Sequence, residues 1–236
     1  MKKEIHTSDS RGRAEHGWLS SRFSFSFAEY YNPERIHFGT LRVLNDDIIQ
    51  AGMGFGMHPH DNMEIVTIPL SGAIEHRDSM GNGSIIKAGE VQLMSAGTGI
   101  RHSEFNPSHK EDTGLLQIWV FPKLKNITPR YEQGVFDPSQ LLNQWQLIVS
   151  PDGKDNSLVI NQDAWFNLTK IASGESINYS PKQKNNGMYL FVIEGSIIVD
   201  ETTLGKRDAI GISDMETIEI KAIEDTFLLL MDIPMR

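Results

Sequence analysis

Two stretches of the chain share one layout. Ile65-Val66-Thr67-Ile68-Pro69-Leu70 is an apolar, largely β-branched run that stops at Ser71-Gly72 and resumes as Ala73-Ile74-Glu75-His76-Arg77-Asp78. Leu190-Phe191-Val192-Ile193-Glu194, Gly195 and Ser196-Ile197-Ile198-Val199-Asp200 repeat it. Matching Gly72 to Gly195 gives an offset of 123 residues, close to half of the 236-residue chain. Strand-forming runs around a glycine turn, repeated once at that distance, predict two similar β-domains in tandem rather than a solenoid.

The rest of the chain has the same character. Phe23, Phe25 and Phe27 alternate with Ser24 and Ser26, the period of a half-buried strand. Met80-Gly81-Asn82-Gly83-Ser84 marks a turn before Ile85-Ile86, and Gly89 breaks the chain before Val91-Gln92-Leu93-Met94. Leu115 to Phe121 is a further strong strand. Helical signals are scarce. The best begins at Asp137-Pro138, where Asp can cap and Pro suits the first helical position. The fold class is therefore all-β, a sandwich or jelly-roll barrel with few short helices. Prolines and polar residues in Pro122-Lys123-Leu124-Lys125-Asn126-Ile127-Thr128-Pro129 place the link there, dividing the chain into 1–125 and 126–236.

Composition narrows the function classes. The formal charge is −9, from 22 basic and 31 acidic residues, which argues against direct nucleic-acid binding because phosphate contact needs a basic face. No run approaches the ~18 apolar residues of a membrane span, so no membrane partner is expected. Met1-Lys2-Lys3-Glu4-Ile5-His6 has no apolar stretch after it, and the chain has no cysteine. A cytoplasmic location is expected, with neither disulfide nor thiolate site.

All eight histidines fall within the first 109 residues. His58-Pro59-His60 places two imidazoles at i and i+2, on one face of a strand. His102-Ser103-Glu104 has the same spacing some 40 residues later. The two pairs are expected to converge on a common point from opposite walls of a barrel. Three imidazoles and a carboxylate suit one divalent transition metal: iron as first choice, with Mn, Ni, Cu, Co or Zn compatible. Glu64, four residues after His60, has the right parity to be the carboxylate, as does Glu104. His76 has two readings, a cavity residue or a hydrogen-bonded surface histidine. Phe23, Phe25, Phe27, Phe55, Met57 and Phe105 are candidates for an apolar pocket, though alternating aromatics more often form core.

Gly52, His58, His60 and Glu64 resemble the first cupin motif, and Gly89 with Ser95-Ala96-Gly97-Thr98-Gly99, His102 and Asn106 resembles the second. The match narrows further. His58-Pro59-His60-Asp61-Asn62-Met63-Glu64-Ile65-Val66-Thr67, Gly97-Thr98-Gly99-Ile100-Arg101-His102-Ser103-Glu104, His76-Arg77-Asp78-Ser79 and Phe38 to Asp47 resemble the pirin family, bicupins with quercetinase-like bacterial members. The resemblance implies two tandem jelly-roll cupins: a metal-binding one at 1–125 and a degenerate one at 126–236. General cupin usage nominates Glu64 as the carboxylate. The pirin pattern selects Glu104, giving His58, His60, His102 and Glu104 as metal ligands and Glu104 as the catalytic base. At the repeat offset, the positions matching His58 and His60 are Pro181 and Gln183, so a second site of this kind is not expected.

The same resemblance implies a quercetin 2,3-dioxygenase type of oxidoreductase, opening a flavonol ring with O2. A small aromatic or enolic substrate would bind the metal and be deprotonated by a carboxylate. Two other readings use the same residues: a non-catalytic metal- or redox-responsive regulatory protein with a protein partner, and a metal-dependent isomerase or hydrolase that needs no O2.

Overall fold

At Gly72 the chain turns a corner between sheets, not a hairpin. Its backbone is left-handed (φ +68), and a Cβ there would meet Thr113 Oγ1 at 2.6 Å, so glycine is required by conformation and by space. The strand before it, Glu64–Ser71, belongs to one sheet, and the strand after it, Ala73–Asp78, to another. Gly195 does the same between Asn186–Glu194 and Ile197–Val199. The repeat legible in the sequence is thus a repeated sheet-to-sheet corner.

The computed structural model describes residues 1–235. Two seven-stranded and two four-stranded antiparallel-rich sheets make two barrels, each with one large and one small sheet. Only three short 3-10 turns interrupt the strands among the described residues, one of them Pro138–Leu141, where the Asp137 side chain accepts from Ser139 N–H. None of the helices there is long and apolar enough to cross a membrane. The phenylalanine alternation is interpreted differently by the structure: the strand is Leu19–Phe23 and stops at its first phenylalanine. Ser24 and Ser26 beyond it are buried like the aromatics, with Ser24 N–H donating to Leu44 O and Ser26 Oγ to Asn32 O.

The largest core lies between the barrels. Leu44, Val66, Ile68, Leu116 and Ile118 of the first large sheet meet Phe166, Tyr189, Phe191, Leu229 and Met231 of the second. Each of those strands also has an inward face, and here the halves differ. In the second barrel most inward residues are apolar, among them Met188, Leu190, Val192, Ile210, Leu228 and Leu230, and the buried Asp232 on that face accepts from Tyr179 Oη and Asn186 Nδ2. In the first, the inward positions of Leu41–Ile49 and Thr113–Val120 include Asn45, Asp47 and Gln117, and apolar packing is left to two small clusters. Strands buried on both faces read as continuous hydrophobic runs, as Leu228 to Met231 does. Asn45, Asp47 and Gln117 line a cavity that the first barrel leaves unfilled.

The barrels also trade strands. Lys2–His6 pairs with Ala209–Ser213 of the second large sheet, and Arg130–Val135 pairs with Glu90–Ser95 of the first. Each barrel is completed by a strand from the other half of the sequence.

Candidate metal centre

The i, i+2 rule places the imidazoles on one face, but the two pairs do not face each other across the barrel. Gly54–His60 and Ile100–Phe105 are antiparallel neighbours in the small sheet, with His102 directly opposite His58. Adjacent strands bring side chains to within about 5 Å without any need for an opposite wall. Between His102 and Glu104 the register slips: Gly56 and Met57 together face Ser103. This bulge turns both Phe55 and His58 toward the barrel interior although they are three residues apart.

The bulge also fixes a tautomer. The Gly56 carbonyl lies 2.8 Å from His58 Nδ1, so Nδ1–H donates and Nε2 keeps its lone pair. A second chain of hydrogen bonds does the same for His102. His76 Nε2 lies 3.3 Å from the Asp78 carboxylate, and His76 Nδ1 lies 3.4 Å from His102 Nδ1. With His76 donating to Asp78, His102 must donate to His76, and His102 Nε2 is free to ligate. Burial pushes the Asp78 carboxyl up, but hydrogen bonds from Asn82, His76 and Met80 outweigh it and hold the group below the ordinary range. The anchor is therefore an anion. Tyr131 stacks on the His76 ring at 4.7 Å, and its hydroxyl bonds Ser84.

His58, His60 and His102 each present a ring nitrogen within 4.8 Å of the others, with His60 Nε2 and His102 Nε2 3.0 Å apart. Burial first, then mutual repulsion among the imidazoles, pushes His60 down to about 4 and His102 to about 2. His60 and His102 are neutral at pH 7, the form that binds a metal. Neutral donors, fixed tautomers and convergent nitrogens fit a divalent transition ion.

Of the two carboxylates, Glu104 lies beside this cluster and Glu64 does not. Glu104 shares the inward face of its strand with His102 and forms a second group of possible ligands with His102 and His76. Its oxygens are held by Gln117 Nε2 at 2.9 Å and the Thr67 hydroxyl at 3.3 Å. Burial raises its pKa to about 7 against those two hydrogen bonds. Glu64 instead accepts from Ser95 Oγ at 2.7 Å and from Asn161 N–H at 3.1 Å, tying the first barrel to the second half of the chain.

The histidines open on a cavity of about 770 Å³ inside the first barrel. Phe23, Phe27, Phe55, Trp18 and Trp119 give it apolar walls, and His60 packs edge-on against Trp119 at 4.9 Å. Phe25 belongs to the core between barrels, while Met57 and Phe105 are exposed. Sequence reasoning left His76 undecided and missed Asn45, Asp47 and Gln117. Their signal was present as polar residues at alternate positions of otherwise apolar strands.

Residues 4–120 match the Pirin family, and 147–233 match the quercetinase C-terminal cupin domain. A quercetin 2,3-dioxygenase of Escherichia coli K12 is 44% identical over 231 residues, 98% of either chain. The chain belongs to the pirin family. A pirin-like protein of Caulobacter vibrioides is 40% identical, covering 95% of this chain and 96% of that one. Among solved pirin structures, Escherichia coli YhhW superposes with a TM-score of 0.95 at 44% identity, over 99% of this chain and 98% of that one. The same bacterial pirin in complex with nickel(II) gives 0.94 at 42% identity over 99% of both chains.

Proposed function

We propose that this pirin is a metal-dependent dioxygenase of the quercetin 2,3-dioxygenase type, acting on a flavonol or related enolic aromatic. The observation that carries the reading is the three-histidine cluster at the wall of a large, mostly apolar cavity, with one buried carboxyl poised near neutrality beside it. The activity named for the Escherichia coli relative supports it, and the nickel(II) complex of its family member supports a divalent ion. His58, His60 and His102 would hold the ion, with Glu104 as the carboxylate of the set. When bound, the metal supplies Lewis-acid stabilisation of a substrate oxyanion and a route for electrons to O2.

The protein's own groups do the rest. Glu104, buried beside the histidines and held by two hydrogen bonds, is the group placed to accept the proton of the substrate's enolic hydroxyl. Gln117 and Thr67 hold that carboxyl toward the cavity's polar side. Trp119, Phe23 and Phe55 provide flat apolar surface for a planar ring system and exclude water from the anion.

The test is to incubate metal-loaded protein with quercetin with and without oxygen, for wild type and His60→Ala. Ring-opened product that needs O2 and falls at least ~100-fold in the variant is the expected result. Stoichiometric metal with no turnover across a flavonoid panel would instead favour a metal-responsive binding protein. Turnover independent of O2 would favour an isomerase or hydrolase.

A further inference from the structure

The cavity has a polar end that the metal chemistry does not use. Asn45 and Asp47 sit at i and i+2 of Leu41–Ile49, opposite Gln117 and Leu115 on one side and Phe23 and Ser21 on the other. Both line the cavity and are almost fully buried, at 3% and 4% exposure. Ser21 holds the Asp47 carboxyl from the neighbouring strand. Yet Asn45 Oδ1 and Asp47 Oδ1 have no hydrogen-bond partner, and neither has Trp119 Nε1 on the same cavity wall.

Leaving such a buried group unpaired is costly, and three around one cavity need a common explanation. Two carbonyl-type acceptors and one N–H donor, arranged about an apolar slot, are complementary to a hydroxylated aromatic ring. Its O–H groups can donate to the two acceptors, and a ring or carbonyl oxygen can accept from the indole.

We propose that Asn45, Asp47 and Trp119 form a specificity subsite for phenolic hydroxyls on the part of the substrate remote from its metal-binding oxygen. This rests on the flavonol reading above and adds to it a requirement: the natural substrate is polyhydroxylated, and hydroxyl-free analogues bind poorly. A site built to hydrogen-bond a hydroxyl rejects the analogue without it, because its own polar groups then stay buried and unpaired.

Binding is measured without O2, by quenching of tryptophan fluorescence in metal-loaded protein, for quercetin and for 3-hydroxyflavone. The second ligand keeps the chelating head and lacks the remote hydroxyls. Wild type should bind quercetin at least ~10-fold more tightly. Asp47→Ala and Asn45→Ala should each shrink that ratio severalfold while leaving 3-hydroxyflavone affinity nearly unchanged. Asp47→Asn, which retains an acceptor oxygen, should keep most of the ratio, an outcome that loss of packing alone would not give. Equal affinity for the two ligands in wild type, or an unchanged ratio in both alanine variants, overturns the subsite. Failure of both ligands to bind wild type overturns the flavonol reading itself.

Discussion

The geometry proposed for His102 as a ligand depends on what stands behind it. Asp78 orients His76, and His76 orients His102, so the ring nitrogen offered to the metal is set two residues away from it. Removing such a support typically weakens metal binding 10–100-fold. His76→Ala should do so in a competition titration with a chromophoric chelator, and His76→Gln, which can still accept from His102 or donate to Asp78, should lose less. The sequence left His76 open between cavity and surface, because its role depends on Ala73–Asp78 pairing beside Ile100–Phe105, with His76 opposite Glu104. His58 with His60, and His102 with Glu104, were legible because short-range strand parity puts each pair on one face; that the pairs meet depends on the pairing of their two strands. Asp47 leads to a pH prediction. Burial, opposed by Ser21, raises its folded pKa to about 7, against 3.8 for the ordinary group. Below pH ~4 folded and unfolded chains both hold the proton. Between 4 and 7 only the folded chain keeps it, so stability falls as pH rises through that window and levels off above it. Glu104 adds a parallel fall in the metal-free protein. Urea unfolding of metal-free Asp47→Asn at pH 5 and pH 8 should show a decline smaller by roughly 2–4 kcal/mol than wild type.

Among elements, Lys2–His6 carries a titratable lock. His6 Nδ1 lies 2.8 Å from the Tyr189 hydroxyl, inside the second barrel's edge. Burial, then Arg35 and Arg11, pushes its pKa down to about 4. Above pH ~6.5 the imidazole is neutral in both states. As pH falls toward 4, only the unfolded chain gains a proton, so this contribution is lost in acid, on the order of 2–3 kcal/mol. His6→Gln, which cannot titrate but can still reach Tyr189, should remove that loss; proteolysis of the N-terminal strand at pH 5 and 7.5 reads it directly. The sequence predicted Ile65–Leu70 and Ala73–Asp78 as strands joined by a tight glycine turn. It did not show that they enter different sheets, because the corner depends on the contact between Gly72 and Thr113, 41 residues apart in the chain. The bulge at Gly56–Met57 was hidden for the same reason. Strand parity assumes regular pairing, and regularity is a property of two strands rather than one.

At the scale of the molecule, the two-part plan was readable from the repeat. The shared core was not readable. Leu229 and Leu230 look alike in sequence, yet one faces the other barrel and the other faces its own interior. That core makes the halves interdependent. Cutting the chain in the link between Phe121 and Arg130, by an inserted protease site, should leave both pieces associated on a sizing column, unfolding in one cooperative transition. Separation of the pieces without denaturant would contradict the interlocking.

The traded strands have a further consequence. Each half lends the strand near its own beginning to the equivalent edge of the other: Lys2–His6 to Ala209–Ser213, Arg130–Val135 to Glu90–Ser95. That reciprocity is the pattern of an isologous, domain-swapped homodimer whose two subunits have been joined head to tail. Each edge is held by the other half, so the cost of a hollow lumen is shared: the well-filled second barrel and the common core brace the first, which keeps its cavity open.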